Sequence, residues 1–274
     1  MKRLFILLAI TGILFASCND NDSTANPDPT EQQNNNPLEF VECRNNEILY
    51  TTKYDFPLVL NSDSGFGAIL MQNTYENGIG RLVFDYDIAT IPNEAFKNCL
   101  PLVCIKFSNS VTSIGNSAFY GCSSLKSVII GNNTKSIGNY AFSNCSSLEN
   151  IAIPNRVTSI GSSAFYKCSS LSNISIPNSV TSIGGSAFRY CSAITKVEIG
   201  NGVSSIDSYA FANCSSLTDV YCKPTTPPRL TRNNIFNNTA LALKIYVPTE
   251  SKDKYLYAAE YWDDYASNIV GYSF

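Results

Sequence analysis

Histidine does not occur anywhere in the 274 residues. Its absence removes the commonest general base at neutral pH, so Ser-His and Cys-His nucleophile activation are both excluded within this chain. It also removes imidazole from any metal site, and the ten cysteines contain no C-x₂-C pair of the kind zinc sites use. Charge is scarce: 15% of residues are Asp, Glu, Lys or Arg, against the ~25% of an average domain. The net charge is −3, and it becomes more negative if Lys2 and Arg3 are removed with a leader. No basic stripe is available for phosphate backbones, which argues against nucleic acid as a partner. A phosphate-binding glycine loop and a Ca²⁺ loop are missing too. Beyond residue 17, no apolar run is long enough to span a bilayer. Asp263 with Asp264, or Asp85 with Asp87, are the acids nearest to a glycosidase pair. Adjacent or i,i+2 acids are ordinarily solvated surface, so the chain is expected to be a non-enzyme without a cofactor.

What the chain has in quantity is repetition. Six consecutive copies of a 23-residue pattern place Phe at 96, 119, 142, 165, 188 and 211, and Cys three residues later at 99, 122, 145, 168, 191 and 214. An invariant period means that each copy is one coil of a stack, because stacked coils bury the same column only when their lengths agree. In one copy, Leu148, Ile151 and Ile153 follow L-x-x-L-x-L, with the last two on one face of a short strand. A corner with Asn at 109, 132, 155, 178 and 201 comes next, then a Val and an Ile that return to the core. The Ala-Phe-x-x-Cys piece is too short for a full helix and is expected to form a single helical or 3₁₀ turn.

These residues resemble the BspA-like, or Treponema-type, leucine-rich repeats of bacterial surface proteins, whose signature is I-G-x-x-A-F-x-x-C-x-x-L-x-x-V-x-I-P. The match covers residues 88 to 222. The resemblance implies a repeat solenoid of 23-residue leucine-rich coils with short parallel strands. It further implies an adhesin-like protein that engages an extracellular protein. One departure from the classical leucine-rich repeat is the Asn column, which stands seven residues after the first strand Leu and not eight. A corner turn is therefore expected in place of a buried asparagine ladder.

The flanks divide into four further parts. Residues 1–17 carry a basic start and an apolar run from Leu4 to Phe15, as in a secretory leader. Phe15-Ala16-Ser17-Cys18 resembles a lipobox, with Phe15 where Leu is usual, and marks Cys18 for lipidation and membrane anchoring. Asp20 and Asp22 resemble the acidic signals that send lipoproteins to the outer face of the outer membrane. Residues 18–37, rich in Asn, Asp, Pro, Thr and Gln, form a disordered tether. Residues 38–90 have short β-type runs and an Asn77-Gly78 hairpin turn, and form an N-terminal β cap. Ile79, Leu82 and Phe84 stand 23 residues before Leu102, Ile105 and Phe107, so the repeat phase starts inside this cap. After the solenoid at 91–222, residues 223–274 make one degenerate coil and a helical cap. The apolar stripe of that helix is Tyr255, Ala258, Trp262, Tyr265 and Ile269.

Apart from Cys18, the cysteines are expected to be buried free thiols, the alternative being bridges between coils. Candidate binding residues fall on two surfaces. On the turn side, Tyr120 and Tyr166 share a column, with Tyr190 one residue further on. On the strand side, Lys126, Glu149 and Glu198 stand in columns that are otherwise mostly small and offer no aromatic platform. An extracellular protein is the leading ligand; glycan binding and a structural role in the envelope are the alternatives.

Overall fold

The computed structural model describes residues 36–60, 65–258 and 261–274. The predicted leader, Cys18 and nearly all of the predicted tether lie outside these residues. From Asn36 onward the chain forms one unit.

The solenoid is held by two ladders of parallel strands. One is a seven-stranded sheet of two-residue strands, in which Ile91, Ile114, Ile137, Ile160, Ile183, Ile206 and Leu230 lie in successive register. The other runs along the L-x-x-L-x-L segments, with Ile105 opposite Val128 and Val128 opposite Ile151. It resumes with Ile174, Val197, Val220 and Ile245 in line. Between the two ladders, the residues at every 23rd position are buried in one continuous core. The phenylalanine column is stacked ring on ring from Phe96 to Phe236, with centroids 5.0 to 5.6 Å apart and planes within 9°. The equal coil length demanded by the sequence thus appears as equal spacing in the core.

The third side of each coil differs from expectation. Ala-Phe-x-x-Cys is not a helical turn but two β-turns in succession, linked by a third that overlaps both, in which Tyr120 N–H donates to Ser117 O. In one coil Ala118 N–H donates to Gly115 O and Cys122 N–H to Phe119 O, with Ser117 and Gly121 at positive φ as the third residue of each turn. The reason is the neighbouring coil. Alternate amides, those of Ser117, Phe119 and Gly121, donate forward to the carbonyls of Asn139, Ala141 and Ser143 at 2.7 to 2.8 Å. A helical turn would direct those groups along its own axis and leave the next coil unpaired.

The Asn corner behaves as a turn and is exposed, yet it also links coils. Asn132 N–H donates to Asn109 Oδ1 and Asn201 N–H to Asn178 Oδ1. A second asparagine series was not anticipated. Asn93, Asn116 and Asn139 each accept, through Oδ1, the backbone N–H of the residue 23 positions later, at 2.7 to 2.8 Å.

At the N-terminal end, strands β1 (Glu47–Thr52), β2 (Leu70–Glu76) and β3 (Ile79–Phe84) form an antiparallel sheet in the order β2-β3-β1. Asn77 and Gly78 make the expected hairpin turn, both at positive φ. β3 keeps the repeat phase but does not touch its 23-residue counterpart. β1 is inserted between β3 and Leu102–Phe107, antiparallel to both. The first coil therefore opens on its strand side, and β1, fully buried, fills the gap. Asn36 is already part of this fold, with its Nδ2 donating to Ser127 Oγ and Leu38 buried against Leu49 and Cys104.

At the C-terminal end the single amphipathic helix gives way to shorter pieces: α1 (Lys252–Leu256), a 3₁₀ turn over Asp263–Asn268, and a strand Ile269–Tyr272 parallel to Lys244–Pro248. Tyr255, Trp262, Tyr265 and Ile269 are buried as the stripe requires. Their polar atoms explain why a straight helix does not form. Tyr255 Oη, Trp262 Nε1 and Tyr265 Oη donate to the carbonyls of Pro224, Pro228 and Asn233, each at 2.7 Å. The lid is thereby pinned along the irregular Pro-rich segment, and Ile269 is freed to join the sheet edge.

Candidate binding site

The turn ladder creates one unusual ridge. Its column at the third position of the second turn reads Asn98, Gly121, Asn144, Lys167, Tyr190, Asn213, and each of these has positive φ. Asn and Gly adopt that conformation at least cost, whereas other residues carry a penalty of about 1 to 2 kcal/mol. Lys167 and Tyr190 stand there despite it, and the conformation projects their side chains from the turn.

Around these two residues a set of charged and aromatic groups closes up. Tyr166 and Tyr190 meet edge to face at 5.5 Å. Lys167 Nζ lies 5.4 Å from the Tyr166 ring centre and 5.9 Å from that of Tyr190. Arg189 Cζ lies 5.0 Å from the Tyr190 ring and 4.6 Å from that of Tyr209. Among the described residues no carboxylate comes within ion-pair distance of Lys167 or Arg189, and Arg189 Nε is buried without an acceptor. The turn segments at 115–123, 138–146, 161–169 and 184–192 contain no acidic residue, and the one acid of the Tyr209 segment, Asp207, accepts the Thr231 hydroxyl and the Ser208 N–H. Two cations are held by π faces alone on a chain whose net charge is negative.

Of the residues singled out from sequence, Tyr166 and Tyr190 are thus brought together. Tyr120 is not among them: Ser143 occupies the coil between it and Tyr166, and Tyr120 is half-buried. Lys167, Arg189 and Tyr209 were missed. The Asn/Gly column was the available signal, since it marks the left-handed position that Lys167 and Tyr190 share.

On the strand side, Lys126 and Glu149 are exposed in adjacent coils. Glu198 is held by two ammoniums, Lys196 at 2.7 Å and Lys223 at 3.0 Å. The hydrogen bond from Lys196 holds its carboxyl below the usual range despite partial burial, and Lys223 adds to this. Lys106, at the other end of that column, is committed to structure: its Nζ donates to the carbonyls of Leu38, Glu39 and Val41. The expected lack of an aromatic platform is corrected by the structure. Tyr221 stacks on Tyr246 at 4.7 Å, and Tyr272 sets its ring against both at 5.4 and 5.5 Å. Tyr246 lies across a two-residue insertion and Tyr272 in the unforeseen last strand, so the sequence columns did not align them.

Comparison with known proteins agrees with this architecture. The family described as BspA type leucine-rich repeat region matches in six copies, over residues 89–218 and 139–258. No curated protein matches the sequence. Among solved structures, a leucine-rich repeat protein of T. pallidum is 27% identical, covering 62% of this chain and 81% of that one with a TM-score of 0.49. A leucine-rich repeat protein of Bacteroides ovatus is 21% identical, covering 71% of each chain with a TM-score of 0.44. A leucine-rich cell surface protein of Faecalibacterium prausnitzii is 21% identical, covering 82% of this chain and 95% of that one with a TM-score of 0.31. Matched over more than half its length, the chain belongs to the BspA-type leucine-rich-repeat family.

Proposed function

We propose that this is a surface-anchored binding protein which engages an acidic segment of an extracellular protein through the ridge of Tyr166, Lys167, Arg189, Tyr190 and Tyr209. One observation carries the reading: Lys167 and Arg189 are positioned by aromatic rings and have no carboxylate counterpart in the described chain. Tyr and Arg are also the side chains that contribute most at protein interfaces. A repeat scaffold without histidine suits binding better than catalysis. The anchor is the Cys18 lipid, placing the solenoid on the outer membrane surface; the cell-surface description of the F. prausnitzii protein is consistent with that location.

Retention of the protein on immobilised extracellular-matrix proteins tests the ridge. Charge reversal by Lys167→Glu with Arg189→Glu is expected to weaken retention about a hundredfold, in a salt-dependent way. Unchanged retention of the double variant, or a matrix panel that retains nothing, overturns the reading. Labelling of cells with palmitate tests the anchor, which requires label on the wild-type chain and none on Cys18→Ala.

A further inference from the structure

The strand face at the C-terminal end carries an aromatic cluster that the core does not need. Along Asp219–Cys222 and Lys244–Pro248, Val220, Cys222, Ile245 and Val247 point inward and are fully buried, while Tyr221 and Tyr246 alternate to the outside. Two coils away the same outward column holds Ser175, and one coil before that Ala152. The last strand then adds Tyr272, and Phe274 follows it, 5.1 Å from Tyr272 and 6.4 Å from Tyr221. Tyr272 and Phe274 remain 42% and 53% exposed. The aromatic surface therefore stays open to solvent.

Polar groups border these rings on the side of the preceding coils. Lys196 Nζ sits 4.8 Å from the Tyr221 ring centre and bonds Glu198, which also takes Lys223. Asp219 accepts the Thr218 hydroxyl at 2.6 Å and lies between Lys196 and Lys244 in register. Donors and acceptors thus alternate, and their charges nearly cancel, unlike the cationic ridge on the turn side. Past them the floor is made of short side chains, Ser172, Asn173 and Ser175.

We propose that this face is a second binding site, for a neutral carbohydrate chain. A pyranose presents a C–H face that packs on an exposed aromatic ring, and hydroxyls that each donate and accept. Open rings beside paired ammonium and carboxylate groups meet both requirements at once, and short residues leave room for further sugar units. A charged ligand would meet three ammoniums set against two carboxylates, a residual charge of one unit only, and an apolar one would strand the Lys196, Glu198 and Lys223 ion pairs.

Native gel electrophoresis of the full chain through gels containing soluble β-glucan, mannan or xylan tests this. At least one of these polysaccharides is expected to retard the wild type. Tyr272→Ala with Phe274→Ala is expected to weaken that retardation about tenfold at an unchanged melting temperature. A Lys167→Glu, Arg189→Glu variant is expected to be retarded like the wild type, which separates this site from the ridge. No retardation by any of the three, or equal retardation of the aromatic double variant, overturns the proposal. Should the double variant lose stability, Glu198→Gln is the second reading, and unchanged binding there overturns the proposal equally.

Discussion

The Cys168 thiol donates to the carbonyl of Phe142, 3.1 Å away. That carbonyl already accepts the Cys145 N–H at 3.2 Å, so its two lone pairs are shared between its own turn and the next coil. The relation recurs with Cys122 and Phe96, Cys145 and Phe119, Cys191 and Phe165, and Cys214 and Phe188. From Cys122 to Cys214 the cysteine column is therefore a column of buried donors. A disulfide between coils would remove two of them.

Alkaline pH should act on this column. Burial raises Cys168 and Cys191 well above the ordinary thiol value, and pushes Cys214 and Cys222 up to about 12. Well below the ordinary thiol value of about 8.5 the thiols are protonated in both the folded and the unfolded state, and stability is fully present. As pH rises from there towards 12, the unfolded chain releases protons that the folded chain keeps. Each such thiol then costs ~1.4 kcal/mol per pH unit. The urea midpoint under reducing conditions is expected to fall between about pH 9 and 10.5, and less steeply in Cys214→Ala. A flat midpoint over that range would show that the thiols are accessible when folded.

The stacked rings lead to a second expectation. Phe165 lies between Phe142 and Phe188, at 5.4 and 5.1 Å, and is fully buried. Phe165→Ala should lower stability by about 3 to 5 kcal/mol, because the coils on either side keep their spacing and cannot close the cavity. Calorimetry measures this directly, and a loss of less than about 1 kcal/mol would place the ring outside the core.

Two neighbouring glycines should respond in opposite ways. A Cβ at Gly184 would lie 2.5 Å from Ser162 N and 2.6 Å from Gly161 C, both backbone atoms of the preceding coil. At Gly185 the nearest heavy atoms stand at 3.4 Å. Gly184→Ala is expected to cost about 1 to 3 kcal/mol by forcing coils apart, and Gly185→Ala to stay within about 0.5 kcal/mol. Equal denaturation midpoints for the two variants would contradict the close approach at the Gly184 column.

The lid offers a fourth test. Trp262→Phe removes the hydrogen bond to Pro228 O and leaves a buried carbonyl without that donor, at a cost of about 1 to 3 kcal/mol. Hydrogen exchange should rise first in residues 224–248, beneath the lid, and later near Phe142. Uniform acceleration along the solenoid would mean that the lid does not protect its own end.

The period of 23 was enough to order the coils, because a stack tolerates only equal lengths: the Phe, Cys and Ile columns and the corner Asn column are legible as spacing. The hairpin at Asn77 and Gly78 was equally local, since both residues suit positive φ. The lid residues were legible as an apolar stripe but not as two short helical pieces and a strand. That choice depends on carbonyls of Pro224, Pro228 and Asn233 some thirty residues away in sequence.

The candidate surfaces divide in the same manner. Tyr166 and Tyr190 follow from column arithmetic, whereas Lys167 and Arg189 acquire their meaning only from the rings that lie against them. Tyr221, Tyr246 and Tyr272 are separated by an insertion and a change of element, so only strand pairing aligns them. Identical spacing settles which side chains share the interior, because burial repeats with the chain. Which side chains meet on the outside depends on turns, caps and inserted strands, and these become visible only when the coils are laid on one another.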